Sequence, residues 1–423
     1  MLSIALRRQW SGVALAALGV VTASCGARSG LLLENPDAGA SAQAGMGSGT
    51  TRTCGPAPMR CVAHGDNACE TPHFVDPVCD AASLAWHCAD AAWAYQSTPS
   101  RPASCLPIHD PDGPIASLGG SLARVPTDDG RCLWIAEDVR LSSGPSLHNV
   151  AFAPDFRAPF GTCPAQVSYW GGAPSASVGF ADGSDDPSLH VQITGAYRMR
   201  GTTRVSYRLF RIDPNAVFGL TELGTGLGYW DKNTGAIEVY GPKQLRFTTD
   251  LDFGNASVED DTYGYLWGCN APGHYLTEGC LLARLDMQDQ LQVFEADGQW
   301  RANAPAGAGS IVFDDGPWIS SVTRDALNAG SLLHVFAVAF GSSLQAQRAP
   351  KPEGPWSSAS SLQPCALPAF DAQSYCAGPI VHDELADPAR PDELVVSYGV
   401  ATTGPQGLGT PEDYWSRLAW IPR

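Results

Sequence analysis

Lysine is nearly absent from this sequence of 423 residues, which contains only Lys232, Lys243 and Lys351. Charged residues make up 16% of the composition, and the formal net charge is -17 at pH 7. A nucleic-acid partner requires a basic surface that neutralises phosphates, so we predict none. The same lack of positive charge disfavours electrostatic docking onto anionic lipid.

The apolar run near the N-terminus, VALAALGVV (Val13–Val21), is too short to span a bilayer as a permanent helix. It follows a short basic region and precedes TASC, which ends at Cys25 and resembles the lipobox of bacterial lipoproteins. This resemblance implies a signal peptide over residues 1–25 and lipidation of Cys25. Gly26 at the next position favours the outer membrane or cell surface, with the lipid anchor as the only membrane contact. A plain secretory signal is the alternative.

Two segments precede the main domain. Residues 26–53 are rich in Ala, Gly, Ser and Thr and predict a flexible linker. Residues 54–109 form a cysteine-rich module with six cysteines, too small to build much of a core, and we predict three disulfides inside it with the connectivity left open. Histidines lie among these cysteines, but no paired CxxC motif supports zinc, so we predict no metal and no cofactor.

Convincing long helical periodicity is missing from residues 110–423, where short alternating strands are separated by Gly, Pro and Asp turns. One strand pattern recurs with an arginine about every 64 to 76 residues, at Arg208, Arg284, Arg348 and Arg417. Together with the segment before them, these units predict an all-β chain with a five-bladed β-propeller. A two-sheet sandwich is the alternative fold.

The remaining six cysteines fit short cross-turn disulfides in this domain. Cys269 and Cys280 flank one turn, and Cys365 and Cys376 have the same eleven-residue spacing. Cys132 and Cys163 bracket the first predicted blade. We therefore predict that disulfides of this kind fix the blade edges.

The stretch LWIAEDVRLSSGPSLHNVAFAPD (133–155) concentrates candidate chemistry. An apolar run ends in Glu137 and Asp138, and a second strand leads to Asp155. Glycoside cleavage needs two carboxyl groups, one protonated and one ionised. We predict that Asp138 and Asp155 lie at one end of the first blade, where a separation of about 5 to 9.5 Å would support hydrolysis.

Three segments carry a resemblance to a family of five-bladed propellers catalogued as a domain of unknown function, some members of which are assigned as endo-acting D-arabinanases. WIAEDVR followed by HNVAFAPD resembles the family's Gly-Asp-Thr strand with its later Asn and Asp, and GPWS resembles a second motif. YCAGPIVHDEL followed by ELVVSYG resembles the pattern near the family's C-terminus.

The resemblance implies that Asp138 and Asp155 are the catalytic acid and base or nucleophile. It implies that Asn149 and His382 line the pocket, with Glu137 beside them. Glu137 stands where the family has Gly. In WISSV, Ile319 and Ser320 replace a Glu that usually precedes Ser-Val, so a pocket carboxylate is missing.

The sequence thus predicts an exported lipoprotein whose glycosidase-like propeller acts on or binds a polysaccharide or glycan. Two activities fit this prediction: hydrolysis of the endo-arabinanase kind, and binding of the glycan without turnover. The alternative function is a non-catalytic carbohydrate- or protein-binding scaffold on the cell surface.

Overall fold

The structure is a computed structural model, and the chain within it is all-β. It describes residues 54–423 apart from 107–114, 142, 144–145, 164–166, 174, 182–185, 217–218, 232, 248–252, 270–278, 303–308, 314–318, 339 and 404–415. The predicted signal peptide with Cys25 and the predicted linker lie outside the described residues. Helical structure in the described ranges consists of two 3₁₀ turns, Trp170–Gly172 and Asp383–Leu385. None of the described helices has the length and hydropathy needed to cross a membrane.

The cysteine-rich module contains five short strands. They are β1 (Cys61–Ala63), β2 (His73–Val75), β3 (Val78–Asp80), β4 (Ala85–His87) and β5 (Trp93–Ala94). β1 pairs with β2 and β5, and β3 forms a hairpin with β4. Cys54–Cys79 and Cys61–Cys88 are the disulfides inside this module.

The other module cysteines do not pair within it, which corrects the prediction of three internal disulfides. Cys69 pairs with Cys132, and Cys105 pairs with Cys163, so Cys132 and Cys163 are not joined to each other. The reason is packing between the segments, since the backbone N–H of Ala68 donates to the carbonyl of Gly130 and holds Cys69 beside Cys132. The two pairs with eleven-residue spacing, Cys269–Cys280 and Cys365–Cys376, are both formed.

Five further sheets follow in chain order, and each consists mainly of antiparallel neighbours. Sheet 1 contains β6 (Ile115–Pro126), β7 (Cys132–Leu141), β8 (Ser146–Pro154) and β9 (Val167–Tyr169). Sheet 2 contains β10 (Val178–Phe180), β11 (Leu189–Met199), β12 (Thr202–Ile212), β13 (Leu220–Asp231) and β14 (Ala236–Val239), with β10 parallel to β14.

Sheet 3 contains β15 (Ala256–Glu259), β16 (Gly264–Gly268), β17 (Cys280–Leu285), β18 (Leu291–Phe294), β19 (Trp300–Ala302) and β20 (Ile311–Phe313). Sheet 4 contains β21 (Ser321–Arg324), β22 (Leu332–Ala337), β23 (Ser343–Ala349) and β24 (Ser360–Pro364). Sheet 5 contains β25 (Ser374–Val381), β26 (Glu393–Thr402) and β27 (Arg417–Pro422).

One strand of each sheet contacts its counterparts in two other sheets in cyclic order. β6 contacts β11, β11 contacts β15, β15 contacts β21, β21 contacts β25, and β25 contacts β6. We call these five the inner strands. Apolar clusters lie between consecutive sheets, as between sheets 1 and 2, where Val125, Ile135, Val205 and Tyr207 pack together. The middle strand β12 has sheets on both of its faces. Its buried residues therefore follow one another along most of the strand and do not alternate with exposed residues.

Sheet 5 gains an additional partner from a distant part of the chain. Cys105 exchanges two backbone hydrogen bonds of 2.8 Å each with Leu418, which lies within β27. Cys105 is also bonded to Cys163, which follows sheet 1's β8. The segment before sheet 1 therefore extends the outer edge of the last sheet.

Candidate functional site

The two predicted catalytic carboxylates lie at different ends of the β7–β8 hairpin. Asp138 lies opposite His148 in the register, and Trp134 lies opposite Phe152. Asp155 follows His148 by seven positions, which corresponds to about 23 Å along an extended strand. The side chain of Asp155 is exposed and accepts a hydrogen bond from the backbone of Arg157.

This placement corrects the predicted pair. β7 does not end at Asp138 but continues to Leu141, so the chain turns back beyond the acid. The antiparallel return then carries Asp155 to the opposite end of the hairpin. A separation of about 23 Å is far beyond the roughly 5 to 9.5 Å at which two carboxyl groups can act on one glycosidic bond.

Glu137 precedes Asp138 on β7, and its carboxylate contacts β11 and β6. Its Oε1 accepts a hydrogen bond of 2.8 Å from Gln192 on β11, and its Oε2 lies 3.4 Å from the backbone nitrogen of Ser121 on β6. Gly120 has a φ of +73°, and a Cβ there would lie 2.2 Å from Glu137 Oε2. Glycine at this position therefore allows the Glu137 carboxylate to lie against β6.

Asp138, His148 and His190 form a compact group beside Glu137. His148 Nδ1 lies 2.6 Å from Asp138 Oδ1, and the two imidazole rings lie 4.6 Å apart at an angle of 89°. The side chains of Asp138 and His148 are 51% and 48% exposed, whereas that of His190 is 8% exposed. The hydrogen bond to Asp138 raises the pKa of His148, against the opposing effect of partial burial.

Asn149 is only 3% exposed, which corrects its predicted place in a substrate pocket. The Nδ2 atom of Asn149 donates to the carbonyl oxygen of Val191 on β11. The backbone carbonyl oxygen of Asn149 accepts a hydrogen bond from the backbone N–H of Ser177. Its φ of +54° lies in the left-handed region, which asparagine tolerates better than most residues. Asn149 therefore joins β8 to its neighbours.

His382 is also fully buried, which corrects its predicted place in the pocket. Its Nε2 lies 2.8 Å from Ser397 Oγ and its Nδ1 lies 2.7 Å from Glu384 Oε1. This is the order of groups in a serine hydrolase triad. All three residues are at most 1% exposed, so no substrate reaches them in this structure.

Glu384 is the centre of this buried network. Its Oε1 also accepts a hydrogen bond from Trp134 Nε1, and its Oε2 lies 3.4 Å from Arg124 Nη1. Burial alone would raise the pKa of Glu384, but His382 and Arg124 outweigh it and lower that pKa to about 2. The network joins sheet 1 to the segment after β25.

A polar cavity of about 710 Å³ lies where the inner strands end. The last residues of β6, β11, β15 and β21 line it, together with Asp383 and the module segment 66–71. Its charged lining includes both signs, with Arg124, Arg198 and Arg324 beside Glu70, Glu259 and Asp383. The cavity therefore offers guanidinium donors and carboxylate acceptors on one concave surface.

Two carboxyl groups of this cavity have different surroundings. Asp383 Oδ2 accepts hydrogen bonds from Thr323 Oγ1 at 2.5 Å and from Arg124 Nη1 at 3.1 Å. Burial raises the pKa of Glu259, against the opposing charges of Arg124 and Arg324. Sequence reasoning missed these residues, although an arginine within the buried strand β6 was a usable signal.

Solved structures of other proteins align with this chain. A protein from Bacteroides ovatus that has been assigned as a hydrolase aligns with a TM-score of 0.53 and 13% identity, over 73% of this chain and 86% of that chain. The GH43_1 enzyme from Xanthomonas citri, solved with xylotriose, aligns with a TM-score of 0.43 and 13% identity, over 75% and 89% of the two chains. An exo-β-1,3-galactanase from Phanerochaete chrysosporium, solved with β-1,3-galactotriose, aligns with a TM-score of 0.40 and 12% identity, over 73% and 63%.

At 13% identity, the alignment with the Bacteroides ovatus protein shows a likeness of fold alone. A family described as "Domain of unknown function (DUF5005)" matches residues 175–414, which is more than half of the chain. The protein belongs to this family. No curated protein matches the sequence.

Proposed function

We propose that the five sheets are the blades of a five-bladed β-propeller, with residues 54–109 as a module attached to it. The cyclic contacts of the inner strands and the apolar clusters between consecutive sheets support this fold. We further propose that the protein is exported and anchored through Cys25 at the outer membrane or cell surface. Six disulfides support an oxidising compartment.

We propose that the protein binds a polysaccharide segment in the cavity where the inner strands end. The observation that carries this proposal is the mixed charge of that cavity. A sugar hydroxyl both donates and accepts hydrogen bonds, so it satisfies guanidinium and carboxylate groups together. A ligand of one charge sign would be repelled by the side chains of like charge in the lining. The volume of about 710 Å³ is in the range of small-ligand sites and accommodates a short saccharide.

The test is a binding titration of the full chain against a panel of polysaccharides that includes D-arabinan. Glu259→Gln keeps the shape of the side chain but replaces an acceptor oxygen with a donor, and we expect binding to weaken about tenfold. Asp155→Asn is the matched control, because Asp155 is exposed and outside the cavity. Binding of no polysaccharide, or equal loss in both variants, would refute the proposal and favour a protein-binding scaffold.

Hydrolysis is the second candidate, because two carboxyl groups of the cavity have different surroundings. Burial raises the pKa of Glu259, whereas Asp383 accepts hydrogen bonds from Thr323 and Arg124. Acid and base roles in glycoside hydrolysis require carboxyl groups in different environments. Release of reducing ends from the bound polymer tests this candidate. Cleavage that Glu259→Gln abolishes while binding remains would establish it, and binding without cleavage would leave the binding proposal alone.

A further inference from the structure

Two histidines and an aspartate from two different sheets bring their ligand atoms together at the end where the inner strands begin. Asp138 and His148 come from sheet 1, and His190 comes from β11 in sheet 2. One ligand atom from each lies within 4.8 Å of the other two. Over the ranges that the structure describes, this is the one such group of three or more His, Cys, Asp or Glu residues.

We propose that Asp138, His148 and His190 form a binding site for Zn²⁺. Three protein ligands with an open fourth position are the arrangement of catalytic and exchangeable zinc sites. This site is separate from the saccharide cavity, and the proposal does not depend on the proposed function.

The distances fit zinc coordination after a small movement. Ligands at about 2.0 to 2.2 Å from a tetrahedral ion lie about 3.3 Å from one another. The ligand atoms here are at most 4.8 Å apart, and His148 Nδ1 lies 2.6 Å from Asp138 Oδ1. These values bracket the required spacing. Because Asp138 and His148 are about half exposed, their side chains can shift by under about 1 Å without disturbing the core.

The donor set favours a transition metal of the zinc type. Imidazole nitrogen with carboxylate oxygen suits Zn²⁺ and its neighbours, whereas Ca²⁺ and Mg²⁺ prefer oxygen ligands throughout. The three residues therefore predict discrimination between Zn²⁺ and the two hard cations. The sequence predicted no metal because the cysteine-rich module has no paired CxxC motif. The three residues of this site come instead from two separate sheets.

The buried histidine already has a carboxylate beside it. Glu137 Oε1 lies 3.6 Å from His190 Nε2 and also accepts the hydrogen bond from Gln192. Zinc-binding histidines are usually oriented by such a carboxylate. At 3.6 Å this contact is an ion-pair distance rather than a hydrogen bond, and in the proposed site Glu137 acts as a positioning residue for the His190 ring while the two exposed ligands close onto the ion.

The experiment measures Zn²⁺ binding to the untagged full chain after removal of metal with a chelator. Competition against a chromophoric zinc indicator is expected to give one site per chain. His148→Ala and Asp138→Asn, both exposed, are expected to weaken binding at least about 100-fold, and Glu137→Gln about tenfold. Mg²⁺ and Ca²⁺ are expected not to compete.

Two controls make the outcome decisive. His73→Ala removes an exposed histidine of the module, and Asp155→Asn removes an exposed aspartate, and both are expected to leave Zn²⁺ affinity unchanged. Zn²⁺ should also raise the melting temperature of the wild type but not that of His148→Ala. Absence of a stoichiometric site, or loss of binding in His73→Ala but not in His148→Ala, would overturn the proposal.

Discussion

The molecule contains two histidine–carboxylate pairs of nearly equal length in opposite surroundings. His148 and Asp138 are 2.6 Å apart and about half exposed, while His382 and Glu384 are 2.7 Å apart and fully buried. Burial makes the second pair part of a network that joins segments of the fold, because each member would be costly to leave unpaired. Exposure leaves the first pair free to exchange its partner for a ligand. The same chemical groups therefore serve structure in one place and binding in the other.

The largest effect is expected from breaking the buried pair. Glu384→Gln removes the charge that Arg124 and His382 face, and we expect the free energy of unfolding to fall by about 3 to 5 kcal/mol. Urea denaturation at neutral pH measures the change. A loss below about 1 kcal/mol would contradict the structural role assigned to this network.

The free energy of unfolding of the wild type is expected to depend more strongly on acid pH than that of Glu384→Gln. The pKa of Glu384 is lowered to about 2 in the folded chain from an ordinary value of 4.5. A lowered folded-state pKa gives stabilisation that is complete above about pH 4.5 and is lost as the pH falls toward 2. Urea denaturation across this window should show a steeper loss for the wild type than for Glu384→Gln. Parallel curves would show that Glu384 does not titrate as the structure implies.

The exposed pair is expected to contribute little to stability. Asp138→Asn in metal-free protein should change the free energy of unfolding by less than about 1 kcal/mol, because solvent screens both groups. Asp138→Asn is the control for Glu384→Gln, because each variant replaces a carboxylate with the corresponding amide. A loss above about 2 kcal/mol would mean that this pair also holds the fold together.

The smallest effect is expected at the second predicted acid. Asp155 is exposed after β8, and Asp155→Asn should leave the free energy of unfolding within about 0.5 kcal/mol of the wild type. Polysaccharide binding and any release of reducing ends should also be unchanged. Loss of either property would place Asp155 in a site that the hairpin geometry does not predict.

The all-β character of the chain could be predicted from the sequence, because alternating apolar residues and frequent turns are local signals. The direction in which a side chain points was harder to predict. Glu137 and Asp138 were both expected at a strand tip, but β7 continues past them, and Glu137 contacts β6 and β11 while Asp138 contacts His148 on β8. A strand's end depends on its partner as well as on its own residues, so the acids could not be placed from this segment alone.

Long-range contacts account for the other differences. The motif that contains His382 was visible in the sequence. Its hydrogen-bond partners Trp134 and Arg124 come from sheet 1, and only the fold reveals that these residues bury the motif. The disulfide from Cys69 to Cys132 likewise depends on how the module packs on sheet 1. His190 drew no attention because its neighbours His148 and Asp138 are distant in sequence.

The contact between Cys105 and Leu418 has a consequence for how the protein folds. The two residues are distant in sequence, and their backbone pairing adds the Cys105 segment to the edge of sheet 5. That edge therefore forms only when a very long loop closes, which is an inherently slow step. Removal of β27 would leave the Cys105 segment without its backbone partner, so damage in the last sheet would be felt in the segment before the first.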